Sequence, residues 1–252
     1  MKIIAVILFV LLILLGISAL VFLAFAIISK IRGAKYLRKR LKGIKEKNKR
    51  SNLSFSMLAE YYGGLRKSNN GELGKLFEEG LALKQQKKFP EAIKAFEKCL
   101  NQNLTLKQRV GVLLTTGNCH FAKNDLDKAR EYYGKADSCS QESDNHNGRL
   151  SSLVNLGMVC ASQKKWEEAI RNYHQAIGLD QKLGHTIGEA IDLNTLALLY
   201  ENKGDLEGAL MHYTASLLIF EKVNDREKAK LVEDNIKKVK SLGQKQAGTT
   251  RT

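Results

Sequence analysis

The chain has 252 residues, 44% of them hydrophobic, one proline, four cysteines and a formal net charge of +15. Setting aside one apolar N-terminal stretch, about 200 residues remain, enough for one sizeable domain. The single proline and the abundance of Ala, Leu, Glu and Lys argue for helix over strand, because these residues lose little freedom in a helix and proline would break one.

From Ile3 to Ile28 the chain carries no charge. At 1.5 Å per residue that is about 39 Å, more than a roughly 30 Å hydrocarbon core requires, so residues 3–28 are expected to form a transmembrane helix with some tilt. Ala24-Phe25-Ala26 imitates a signal-peptide cleavage pattern, but the apolar region is longer than the usual signal core. Residues 29–50 follow as a basic amphipathic juxtamembrane segment, with eleven Lys and Arg against Glu46. The side richer in Lys and Arg stays cytoplasmic, so the predicted localisation is a single-pass membrane protein, N-terminus outside and the remainder cytoplasmic. Asn52-Leu53-Ser54 and Asn103-Leu104-Thr105 match the N-glycosylation pattern and are read as chance matches on that topology. Ile31, Ala34, Leu37, Leu41 and Ile44 form a helical stripe, beside which Lys35, Arg38, Lys39, Arg40 and Lys42 are candidates to contact anionic lipid headgroups. A solvated, topology-setting charge cluster is the alternative, and no nucleic acid is expected, because Tyr36 alone offers a stacking surface. Residues 51–72 read as a short helix and linker.

Beyond this the chain repeats itself. Aligned at Gly80, Gly117, Gly157 and Ala197, four segments place Ala92, Ala129, Ala169 and Ala209 twelve residues later. Around each alanine stand an apolar residue three before (Phe89, Leu126, Trp166, Leu206), an aromatic four after (Phe96, Tyr133, Tyr173, Tyr213) and a small residue seven after (Cys99, Ala136, Ala176, Ser216). Four alanines in one column by chance have odds of about one in twenty thousand. Small residues let two helices approach, and the aromatic fills the groove between successive hairpins. Pro90 suits the start of a second helix, where its missing N–H is no loss.

This pattern closely resembles the tetratricopeptide repeat family from about Leu73 to Val223, with repeats expected over 73–106, 110–143, 150–183 and 190–223. Their starts are 37, 40 and 40 residues apart instead of the usual 34, and stretches such as Leu153-Val154-Asn155-Leu156-Gly157 are similar to the extended-repeat branch found in kinesin light chains and polarity adaptors. The resemblance implies an all-α, right-handed superhelical solenoid of four helix hairpins, with a capping helix over 225–242 and a disordered tail over 243–252. It also implies a concave groove lined by first helices, and by family geometry a partner-binding set of Phe77, Leu81, Leu114, Asn118, Phe121, Val154, Asn155, Met158, Asn194 and Leu198. Asparagines among aliphatic residues suit the backbone and side chains of an extended or helical segment of another protein. The carboxylate clamp of cochaperone relatives is not expected, since Phe77, Ser151 and Asn155 stand where it needs Lys or Arg.

No catalytic pattern emerges, and the protein is not expected to be an enzyme. Cys99, Cys119, Cys139 and Cys160 contain no C-x-x-C pair and read as thiols in a reducing compartment, so no metal and no cofactor are expected. His120, His174 and His212 have no evident Cys, Ser or carboxylate partner at useful spacing, and Glu78-Glu79 and Glu167-Glu168 point in divergent directions on their helices. The expected function is a membrane-tethered interaction scaffold or adaptor whose partner is another protein. A non-catalytic regulatory subunit, or a receptor resembling those of organellar import, is the alternative; oligomeric state is not legible.

Overall fold

The computed structural model describes residues 71–249. Among them every regular element is a helix: α1 (Gly71–Gln85), α2 (Phe89–Leu100), α3 (Leu106–Ala122), α4 (Leu126–Glu142), α5 (His146–Ser162), α6 (Trp166–Leu183), α7 (Thr186–Lys203), α8 (Leu206–Lys222) and α9 (Arg226–Thr249). Each helix packs against those before and after it in sequence, so α1–α2, α3–α4, α5–α6 and α7–α8 are four hairpins and α9 lies on the last of them. This is an all-helical repeat solenoid.

The turns explain why the helices stop where they do. In seven of them the N–H just before the next helix reaches the carbonyl five residues back: Lys88 to Leu83, Asp125 to His120, Asn145 to Ser140, Lys165 to Cys160, His185 to Asp180, Asp205 to Tyr200 and Asp225 to Phe220, all at 2.8–3.0 Å. That bond needs a left-handed residue immediately before its donor, and Lys87, Asn124, Asp144, Lys164, Gly184, Gly204 and Asn224 supply it, each with φ between 49° and 93°. The donor residue then caps the following helix. The side chains of Asp125, Asn145 and Asp205 accept from the backbone N–H three residues on, and Thr105 forms a reciprocal capping box with Gln108. From Thr105 onward the cap residues fall at 105, 125, 145, 165, 185, 205 and 225, so helix plus turn occupies 20 residues and a hairpin 40.

Packing follows the repeated columns. Ala92, Ala129, Ala169 and Ala209 are wholly buried. A Cβ on Gly80, Gly117 or Gly157 would lie 2.5, 2.6 or 2.7 Å from the ring of Phe96, Tyr133 or Tyr173, so the missing side chain is what lets each ring lie on the first helix's backbone. The apolar core is a series in which each part borrows from the next hairpin: Val112 and Cys119 of α3 complete the first, and Val159 of α5 completes the second. Ala229, Val232 and Val239 of α9 complete the last, which makes α9 the stand-in for a further first helix.

Three expectations change. The terminal helix extends through Gly243 and Gly248 to Thr249 instead of giving way to a disordered tail at 243, since each glycine in a run of Gln, Lys and Ala costs a helix only about 1 kcal/mol. The first helix already includes Gly71 and Glu72, inside the expected linker. The single-pass membrane localisation is also corrected: among the described residues no helix is long and apolar enough to cross a membrane. The described helices carry charged and polar residues on the sides that do not pack, as repeat helices do. The segments 3–28 and 29–50, including Lys35, Arg38, Lys39, Arg40 and Lys42, and residues 51–70 lie outside the described residues.

Candidate functional site

The ten residues expected to line the groove divide into two groups. Phe77, Leu114 and Leu198 are buried, Phe77 against the Phe96 ring with centroids 5.6 Å apart, and these three hold the solenoid together. Leu81, Asn118, Phe121, Val154, Asn155, Met158 and Asn194 are half-buried, each with part of its surface open. Leu81 rests on the first core, Phe121 on the second, and Val154 and Met158 on the third, so this apolar surface is backed by packed helices.

The asparagines are not equivalent. Asn118 Oδ1 accepts a hydrogen bond from the Tyr133 hydroxyl at 2.7 Å, which seats the ring that covers Gly117. Asn194 Oδ1 accepts from Asn235 Nδ2 of α9 at 3.3 Å, so it secures the terminal helix. Two 40-residue periods earlier the same pair of places holds Leu114 and Asn155. An aliphatic side chain there offers no acceptor, and among the described residues the Asn155 amide has no hydrogen-bond partner. A half-buried amide between Val154 and Met158 retains its full capacity to donate and accept toward an incoming backbone.

Elsewhere the polar groups have structural work. His120 does have a carboxylate partner: its Nδ1 lies 3.0 Å from Asp125 Oδ2, because the turn brings the cap of α4 back over the end of α3. The ring also stacks on Tyr132, whose hydroxyl donates to Glu97 at 3.0 Å and so ties α4 to α2. His212 stacks on Tyr200 and meets the edge of His174, and burial lowers its pKa. The four cysteines are free thiols. Burial pushes Cys99 up to about 11 and raises Cys119, Cys139 and Cys160, which leaves them protonated and poor nucleophiles. Among the described residues no group of three His, Cys, Asp or Glu is placed to hold a metal ion.

Sequence reasoning missed the partners of Asn118 and Asn194, which lie 15 and 41 residues away. The second was detectable: Asn235 stands two 40-residue periods after Asn155, once the register is carried past the fourth hairpin into α9.

Two family models match this chain, both described as tetratricopeptide repeat, one over residues 76–105 and one over residues 109–182. Those residues are tetratricopeptide repeats. No curated protein matches this chain. Solved tetratricopeptide-like solenoids share its fold at low identity. BtubC from P. vanneervenii has a TM-score of 0.55 at 16% identity, over 77% of this chain and 93% of that one. Aspartyl phosphate phosphatase F from Bacillus subtilis gives 0.60 at 16%, over 81% and 51%. The Rap conjugation gene regulator of plasmid pLS20, solved in complex with the Phr* peptide, gives 0.53 at 17%, over 69% and 50%. Of the last two, the chain described here spans about half the length.

Proposed function

We propose that this chain is a non-catalytic interaction scaffold whose first-helix surface takes up a segment of another protein. The observation that carries the reading is Asn155: a half-buried amide without a hydrogen-bond partner among the described residues, set between Val154 and Met158 on a rigid helix. A partner's backbone pairs with the amide, and its apolar side chains pack on Val154, Met158, Phe121 and Leu81. Met158 suits this role because an unbranched thioether adapts to varied apolar shapes. Leu114, Phe77 and Leu198 act from behind, by fixing the helices that present this surface. The peptide-bound Rap regulator supports the reading, since the same fold there accommodates a peptide. The phosphatase among the neighbours shares the fold alone and lends this chain no chemistry.

The test places a photo-crosslinking amino acid at Met158 in the full chain, with the same probe at exposed Arg171 as control. The expected result is a discrete adduct from position 158 that is absent from position 171 and is lost on Asn155→Ala, with the melting curve unchanged. Asn155→Ala removes no hydrogen bond within the described residues, so a weakened adduct reports recognition and not unfolding. Adducts of equal yield with and without Asn155→Ala would remove Asn155 from the reading.

A further inference from the structure

The 40-residue register supplies an internal control for each exposed position on the second helices. Met211 of α8 occupies the place of Glu131 in α4 and Arg171 in α6, and Leu218 occupies the place of Ser138 and Gly178. The repeat itself therefore makes no demand for an apolar side chain at either place. Yet Met211 and Leu218 are 61% and 67% exposed, the highest values among the large hydrophobic side chains of the described residues. Seven residues apart, they lie on one face of α8, with Thr214 and Ala215 between them. The Thr214 hydroxyl already donates to the Leu210 carbonyl at 2.8 Å, so its proton is spent within the helix. The result is a continuous apolar strip where sibling helices are polar, the pattern of a contact surface.

The strip also states its partner, because it reads the same in both directions. Outward along α8 stand Glu207, Met211, Thr214, Ala215, Leu218 and Lys222, within about 100° of the helix circumference. A two-fold axis between Thr214 and Ala215 lays a second copy antiparallel on the first. Met211 then faces Leu218 of the second copy, Thr214 faces Ala215, and Glu207 faces Lys222. Small residues at the crossing let the backbones approach to the 8–10 Å typical of packed helices. Glu207 and Lys222 are both exposed and, among the described residues, neither forms an ion pair. A parallel arrangement would set Glu207 against Glu207 and Lys222 against Lys222, so charge selects the antiparallel one. We infer that the outer face of α8 is an isologous dimer interface whose occupant is α8 of a second copy of this chain. The surface around Asn155 is a different one, and the inference does not depend on what binds there.

The test uses the full chain in cells with Thr214→Cys beside the proposed axis, oxidised with copper phenanthroline and read on a non-reducing gel. The unaltered chain gives the background from Cys99, Cys119, Cys139 and Cys160, and His174→Cys is the register-equivalent control on α6. Thr214→Cys is expected to give a covalent dimer well above both. Adding Met211→Arg is expected to lower the yield about tenfold or more, since each dimer loses the contact twice and every 1.4 kcal/mol is a factor of ten. Arg171 shows that this place in the repeat accepts arginine, so loss of folding does not explain that result. Glu207→Lys alone sets like charges together and is expected to weaken the dimer, and Glu207→Lys with Lys222→Glu is expected to restore it. No dimer above background, a dimer indifferent to Met211→Arg, a double reversal no better than the single one, or an adduct to some other protein would each overturn the inference.

Discussion

Asp180, near the end of α6, and Asp192, on α7, are buried together, 1% and 6% exposed, and hydrogen-bond to each other, which requires a proton between them. Burial pushes Asp180 up to about 6, against the pull of His185, whose Nδ1 lies 3.3 Å away, and with some push from Glu189. Burial, with Asp180 beside it, raises Asp192 well above the ordinary carboxyl range. Both folded pKa values exceed the unfolded ones, so the pair's full contribution to stability is present below about pH 4; the share of Asp180 is lost as pH rises through about 6, and that of Asp192 as pH rises toward its own raised pKa. Asp192→Asn keeps a donor toward Asp180 without titrating. Urea denaturation should therefore find the variant close to the natural chain at pH 4.5 and more stable at pH 8, by roughly 1–3 kcal/mol. A difference that does not change between the two pH values would show that the pair is not titrating in this way. None of this was legible in the sequence, where the two aspartates stand 12 residues apart on different helices. The glycine–aromatic columns were legible because each recurs, whereas the Asp180–Asp192 pair occurs once. The asparagines fall between these cases: family geometry put Asn118, Asn155 and Asn194 on one surface, but only contacts show that Tyr133 and Asn235 occupy two of them.

At the scale of the element, the turns are chemically uneven although geometrically alike. Gly184 and Gly204 occupy the left-handed position at little cost, but Lys164 holds φ 61° with a Cβ, a conformation that disfavours an L-residue by about 1–2 kcal/mol. A reciprocal exchange isolates that term. Lys164→Gly is expected to stabilise the chain by about 1 kcal/mol, and Gly204→Lys to destabilise it by a similar amount. Nothing lies within 4 Å of a Cβ at Gly204, so the second effect comes from the backbone and not from a clash. Equilibrium unfolding of the two single variants, with helix content checked by circular dichroism, gives both signs; the same sign for both would refute the account. The turn triplets around these residues could be read from sequence, since Asn, Asp, Gly and Lys cluster between apolar runs. The 20-residue ruler that they share could not, because first and second helices carry different columns, glycine on one and alanine on the other. Alignment therefore finds only the 40-residue hairpin.

For the whole described solenoid, the two lengths make opposing demands on a deletion. A helix and its turn take 20 residues, but the face that a helix buries is set by whether it stands first or second in its hairpin. Removing residues 106–145 deletes α3 and α4 and joins the cap residue Thr105 to the first residue of α5. Alternation is preserved: α2 meets α5, where Val159 stands for Cys119 in the first core and Ser152, its hydroxyl satisfied by the Gly148 carbonyl, stands for Val112. Three hairpins and α9 remain, and the stability of a solenoid is close to a sum over units and their interfaces, so this shorter chain is expected to fold cooperatively at reduced stability. Removing only residues 106–125 deletes half as much, yet it sets the second helix α4 directly after the second helix α2. Tyr133 then lacks the bare backbone of Gly117 and the amide of Asn118, and the columns of glycine and aromatic no longer meet. The expected outcome is the reverse of the intuitive order: in urea titrations followed by circular dichroism, the 40-residue deletion unfolds in one sharp transition and the 20-residue deletion loses cooperativity. If the smaller deletion proved the better tolerated, helix identity within the hairpin would not be what organises this solenoid.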